Sequence, residues 1–171
     1  MDNQNKIILL SFATNDLKRS VERIKKQAID SKFYDRIEIL TDNEIDIDLK
    51  LKLKTLILAG KKRGFGYFFW KPYLIKKIFE QINHNDIINY VDVGFHILKE
   101  NSKRFNEYLA FINRKDEWIL PFQYHQNFDH NVKNISFPNR EERKYTKGDL
   151  LDYFGYYNNY PITEAPQYMA G

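Results

Sequence analysis

The chain contains no cysteine, which excludes a disulfide framework, a Cys-ligated zinc site and a thiol nucleophile. It also has no long hydrophobic run. The longest apolar stretch near the start, Ile7 to Leu10, is extended only by Ser11, Phe12 and Ala13, far short of the roughly 20 residues that span a bilayer. No basic lead-in or small-residue cleavage site marks a signal peptide, so the expectation is a soluble, cytoplasmic protein with no transmembrane segment. A Gly-x-Ser-x-Gly elbow and a Walker-type phosphate loop are both missing. His84, His96, His125 and His130 are scattered, and His125 and His130 do not have helical i, i+4 spacing, which argues against a histidine metal cage.

What is present is an ordinary globular composition. Of 171 residues, 43% are hydrophobic and 29% charged, enough for one domain with a real core. The 27 Lys and Arg against 23 Asp and Glu leave a net charge of +4. Lys (19), Ile (19) and Asn (16) are all favoured by AT-rich codons, and Lys outnumbers Arg 19 to 8. Phosphate forks and base readout lean on Arg instead, so no specific nucleic-acid partner is expected.

Along the chain, Lys6-Ile-Ile-Leu-Leu-Ser-Phe-Ala13 reads as a buried parallel strand. Asn15 or Asp16 offers an N-cap to a helix carrying Leu17, Val21, Ile24 and Ala28, and Arg36 to Thr41 is a second strand, completing a βαβ unit. Leu49 to Leu58 fits both periods; Asp46 or Asp48 as cap and Gly60 as stop favour a helix. Pro72 suits a first helical turn, ahead of an apolar face of Leu74, Ile75, Ile78, Phe79 and Ile82. Asp86 to Gly94 is a strand closing on a carboxylate and a glycine, and Asn101 to Arg114 an amphipathic helix with Phe105, Leu109 and Ile112 inward. Glu117 to Phe122 reads as an edge strand because of Pro121. Gln123 to Asn139 reads as a loop and Lys147 to Phe154 as a short helix. Alternating strands and helices predict an α/β domain, a mostly parallel, Rossmann-like sheet flanked by helices. No repeat, linker or charge block divides it.

In such sheets ligands bind beyond the carboxyl ends of the strands. Ser11 to Thr14, Asp92 with Gly94, and the Gly64-Phe-Gly66 segment all collect there. Asp92 is either a ligand for a divalent ion and a diphosphate or a cap of the following turn. Lys61-Lys-Arg-Gly-Phe-Gly-Tyr-Phe-Phe-Trp-Lys-Pro72 sets three cations, a Gly-x-Gly turn and four aromatics before a helix start. That is either an anion site or a basic surface turn entering an aromatic core.

Arg63-Gly-Phe-Gly-Tyr-Phe-Phe-Trp-Lys-Pro-Tyr-Leu-Ile75 and Asp86-Ile-Ile-Asn-Tyr-Val-Asp-Val-Gly94 resemble bacterial and viral glycosyltransferase-like proteins of the GT-A fold. There an RGxGYWxWKPY segment precedes a strand ending in a YxDxG-type motif. Tyr145-Thr-Lys-Gly-Asp-Leu-Leu151 and Glu164-Ala-Pro-Gln-Tyr-Met-Ala-Gly171 are similar to later motifs of that family. The resemblance implies a transferase of hexosyltransferase type that uses a nucleotide-diphospho-sugar donor and a glycan or other acceptor. It places Ser11, Phe12 and Thr14 at the nucleotide base and ribose, and Arg63 and Lys71 at the diphosphate. Tyr67 and Trp70 would shape the pocket, and Asp92 and Gly94 would form the metal-and-ribose motif. Lys147 and Gln167 approach the sugar or acceptor, together with Asp149, the best candidate for general base.

Two departures from the family bear on this. Position 94 is Gly, so a second carboxylate is missing and a divalent cation (Mn²⁺ or Mg²⁺) at Asp92 is expected to be held weakly. Family members continue past the last motif into another strand and helix, so the expectation is a single GT-A-like domain over 1–171 lacking their C-terminal part. The alternatives are a non-catalytic relative that at most binds nucleotide, and a basic binder of nucleic acid or anionic surfaces.

Overall fold

In a computed structural model, which describes residues 5–115, 119–123, 141–144, 146, 148–165 and 168–169, the apolar run near the start becomes strand β1 (Ile7–Ala13). It lies between β2 (Arg36–Thr41) and β3 (Ile87–Tyr90), parallel to both. Register runs from Ile8 opposite Arg36 to Ala13 opposite Thr41 on one side, and from Ile7 opposite Ile87 to Leu10 opposite Tyr90 on the other. A central strand covered on both faces needs a near-continuous apolar run, and six of the seven residues of β1 are buried, all of them apolar but Ser11. The α/β class with a parallel sheet is as expected.

Alternation along β1 divides the core. Ile8, Leu10 and Phe12 face a cluster built with Leu40, Ile45, Leu49, Leu53, Trp70, Leu74 and Ile78. Ala13, on the other face, packs with Ile24 and Val93. Each fully buried aliphatic contributes about 1.5–3 kcal/mol of transfer free energy.

The helices follow the expected stripes with local changes. Residues Asn15–Leu17 form a 3₁₀ turn, so α1 starts later (Lys18–Ser31) and Leu17 is left half-exposed. The ambiguous segment is a helix, α2 (Ile47–Leu58), and Asp46 caps it by accepting from the Leu49 N–H at 2.8 Å. A short turn, α3 (Gly64–Tyr67), leads to α4 (Trp70–Phe79), with Pro72 in its first turn and Leu74 and Ile78 buried. Phe79 points out of that face, 57% exposed. The third strand ends at Tyr90, and Asp92 begins a turn closed by Phe95 N–H to the Asp92 carbonyl. Helix α5 (Ser102–Lys115) follows a 3₁₀ turn.

Carboxylates close the starting edge of the sheet. Asp35 accepts from the Ile7 N–H at 2.8 Å, and Asp86 accepts from the N–H groups of Lys6 and Asn83, both at 2.9 Å. Partial loss of hydration pushes the Asp86 carboxyl up, but those backbone donors and the Lys6 charge outweigh it and hold the group below the ordinary carboxylate range. On the α1 side Tyr34 donates to Asn89 at 2.7 Å, and burial pushes its hydroxyl up to about 12.

Contacts divide the chain into two compact units, Met1–Glu107 and Tyr108–Ala170. In the second, β4 (Phe122–Gln123) pairs antiparallel with β5 (Tyr168–Met169). Helix α6 (Gly148–Tyr153) falls within the expected 147–154 helix, and α7 (Tyr160–Thr163) is capped by Asn159. Most of the expected 123–139 loop lies outside the described residues. Among the described residues no helix is long and apolar enough to cross a membrane.

Candidate functional site

The residues at the far end of β1 and β3 owe their positions to strand alternation. Tyr90 ends β3 on the face of Ile88, and Asp92 lies two residues on, so both stand over the α4 side of the sheet. Helix α4 enters from that side. Its first residue, Trp70, is 4% exposed, packs on Phe12 with ring centroids 4.1 Å apart and planes tilted by 32°, and donates its Nε1–H to the Gly64 carbonyl at 3.0 Å. Trp70 is therefore a floor, and the next residue, Lys71, is what it presents.

The Gly64-Phe-Gly66 turn fixes that presentation. Gly64, Phe65, Gly66 and Phe68 all have positive φ, from 51° to 84°. A Cβ on Gly64 would lie 2.5 Å from the Phe68 ring, and one on Gly66 would lie 2.8 Å from Leu53. Both glycines are required by contact as well as by conformation. Phe65 and Phe68, which carry side chains in the left-handed region at a cost of order 1 kcal/mol each, are held by ring packing on Phe12 and Trp70.

Lys71 Nζ lies 3.2 Å from Asp92 Oδ1. Its ammonium is also 4.6 Å from the Tyr90 ring centroid, 5.3 Å from Phe68 and 6.0 Å from Trp70, an aromatic setting that favours a partly desolvated cation. Tyr90 donates its hydroxyl to the same Asp92 Oδ1 at 2.6 Å. Burial first, then the hydrogen bond and charge of Asp92, push the Tyr90 hydroxyl well above the ordinary phenol range. Asp92 thus accepts from two side chains and keeps about a third of its own side chain open to solvent (36%).

The expected site residues fare differently. Lys71 and Asp92 are brought together, and Trp70 lies directly beneath. Ser11 and Phe12 are buried, at 0% and 5% exposure, so only Thr14 of that stretch reaches the surface. Ser11 lies on the opposite face from Phe12, and its Oγ has no hydrogen-bond partner among the described residues. Thr14 donates to Asp16 at the rim of an open concavity of about 430 Å³ lined by Asn15 to Ser20. Arg63 is exposed at the entrance to the turn, and the Tyr67 backbone closes α3. Gly94 does not have a positive φ, and a Cβ there would meet nothing within 4 Å, so the chain itself does not require glycine at that position. Asp149 lies exposed in the first turn of α6, in the second unit. Lys147 and Gln167 lie outside the described residues.

Tyr90 is a member of the site to which the sequence alone gives no role; its i, i+2 relation to Asp92 is the available signal. Without a ligand this donor set is poor for a divalent cation. Asp92 supplies one carboxylate already carrying an ammonium, where Mg²⁺ or Mn²⁺ wants several oxygens, and among the described residues no three His, Asp or Glu side chains gather to hold a metal. No protein-family model, curated protein or solved structure matches the chain.

Proposed function

We propose that this protein is a glycosyltransferase with a GT-A-like fold, taking a nucleoside-diphospho-sugar donor and passing the sugar to a glycan or other acceptor. One observation carries the reading: a cation and a carboxylate, paired with each other over an aromatic floor, at the carboxyl end of a parallel sheet. Their pairing keeps both groups ordered without a ligand. An arriving diphosphate takes the Lys71 ammonium, and the released Asp92 carboxylate accepts a hydroxyl of the ribose, so each exchanges one partner for another. Tyr90 stays on Asp92 and fixes its orientation.

In the transfer, the acceptor hydroxyl oxygen attacks the anomeric carbon and the bond from that carbon to the diphosphate oxygen breaks. The electron pair leaves on the diphosphate, where Lys71 stabilises it as charge grows. The hydroxyl proton goes to a general base on the acceptor side.

Thermal denaturation with UDP, GDP and CMP and their sugars tests the reading. A ligand that binds only the folded state raises the melting temperature. Lys71→Ala is expected to weaken nucleotide binding by about 1–3 kcal/mol, the range of a charge-assisted phosphate contact. Asp92→Asn is expected to weaken it too, while leaving the ligand-free melting temperature within a few degrees. If millimolar nucleotide leaves the wild-type curve unmoved, the donor pocket is wrong and a non-catalytic domain is the better description.

A further inference from the structure

Charge is spread unevenly along the chain. From Leu49 to Phe79 there are nine Lys and Arg and no Asp or Glu, leaving 18 Lys and Arg against 23 Asp and Glu elsewhere. The modest net charge conceals a segment of +9 in a remainder that is acidic. This segment marks no domain boundary; it holds nearly all of α2, the turn α3 and the whole of α4.

Helix α2 turns Leu49 and Leu53 into the core, yet its opposite side is not the polar face of an ordinary surface helix. Ile47, Leu51 and Leu58 are 69%, 56% and 77% exposed. At 3.6 residues per turn they fall within about 40° of one another, so they form a second apolar stripe pointing at solvent. Lys50 and Lys54 border the stripe, and Lys52 lies nearer the buried side. Lys61, Lys62 and Arg63 follow Leu58 in the turn, and all six cations are exposed. Phe68 and Phe69, each nearly half exposed, come next.

We propose that the outer face of α2 and the turn after it dock on the surface of an anionic phospholipid bilayer. Aliphatic side chains bordered by lysine match the bilayer boundary, where apolar groups enter the acyl region and cations meet acidic headgroups. Charge complementarity selects this occupant. A two-fold contact between copies of the chain would set these lysines against one another. A nucleic-acid backbone gives exposed Ile47, Leu51 and Leu58 nothing apolar to meet. Lysine also outnumbers arginine eight to one in the segment, whereas phosphate and base readout favour arginine. The inference does not depend on the donor reading.

Sedimentation of the full chain with phosphatidylcholine vesicles, plain or containing about a third phosphatidylglycerol, tests it. Binding to the anionic vesicles alone is expected, weakening as NaCl rises from about 0.1 to about 0.5 M. Combined Lys54→Glu and Lys62→Glu should lower the affinity on the order of a hundredfold. Leu51→Ser with Leu58→Ser should lower it roughly tenfold, and neither variant should shift the melting curve much, since these side chains are in solvent. Should the charge-reversed variant misfold, the leucine pair decides alone. The proposal is overturned by failure to bind anionic vesicles or by binding that the leucine changes leave intact. It is equally overturned by a duplex oligonucleotide bound more tightly than the vesicles, or by a dimer that the leucine changes dissolve.

Discussion

The two edges of the parallel sheet use the same residue type in opposite ways. Where the strands begin, Asp35 and Asp86 accept from main-chain N–H groups of Lys6, Ile7 and Asn83. Where they end, Asp92 accepts from two side chains, Lys71 and Tyr90. A backbone donor cannot leave its acceptor without disturbing strand pairing, whereas an ammonium on a four-carbon stem can. The first edge is built as a pin. The second is built for exchange, and its rigidity comes from the aromatic layer underneath.

The sharpest way to break that comparison is to remove the layer. Trp70→Ala takes a 4%-exposed ring off Phe12 and leaves the Gly64 carbonyl without its indole donor. The expected cost is about 3–5 kcal/mol, the range for a buried large aromatic, read from denaturant unfolding. A loss below about 1 kcal/mol would mean the site stands on something else.

The pin is weaker and pH-dependent. Asp86→Ala gives up both backbone acceptances and is expected to cost about 1–2 kcal/mol, the size of a lost cap. Because the folded carboxyl is held low, its contribution is complete above the ordinary carboxylate range. That contribution is lost as pH falls through the folded value. The variant should therefore lose less stability between about pH 5 and pH 2 than the wild type does, and parallel acid limbs in the two melting series would refute the assignment.

The smallest effect is expected from Tyr90→Phe, about 0.5–1 kcal/mol at neutral pH, since Asp92 keeps Lys71 and some water. Its signature is alkaline. The wild-type phenol holds its proton beyond the ordinary value of 10.0, so stability is full below that pH and falls above it, as only the unfolded chain ionises. In the phenylalanine variant the decline above about pH 10 should be shallower by one proton. Unfolding followed between about pH 9 and pH 11 checks this.

How much of this was legible in the sequence depends on the residue. β1, β2 and α2 could be read because burial on both faces, β-branching and an Asp cap leave local marks. Asp92 and Lys71 could be singled out by type and position, but their 3.2 Å pairing depends on the path of α4 across the sheet, which no local pattern encodes. The same holds for Ser11 and Phe12: alternation places them on opposite faces, yet only the covering helices make both inaccessible. Phe65 and Phe68 in left-handed backbone were illegible, because aromatic residues normally avoid that region, and packing on Phe12 and Trp70 with main-chain bonds to Lys62 and Gly64 holds them there.

The strand order carries a consequence for the time course of folding. The first strand of the chain is the middle of the sheet, and one of its edges is closed by a segment 80 residues later, Ile87 against Ile7. Until that segment has been synthesised, the most apolar stretch of the molecule has an unpaired edge, which is the arrangement most prone to pairing with another chain. Closing so long a loop before the sheet is complete also makes folding slow relative to the local helices. Early on the ribosome, then, β1 and β2 face aggregation as a hazard, and the arrival of β3 is the event that removes it.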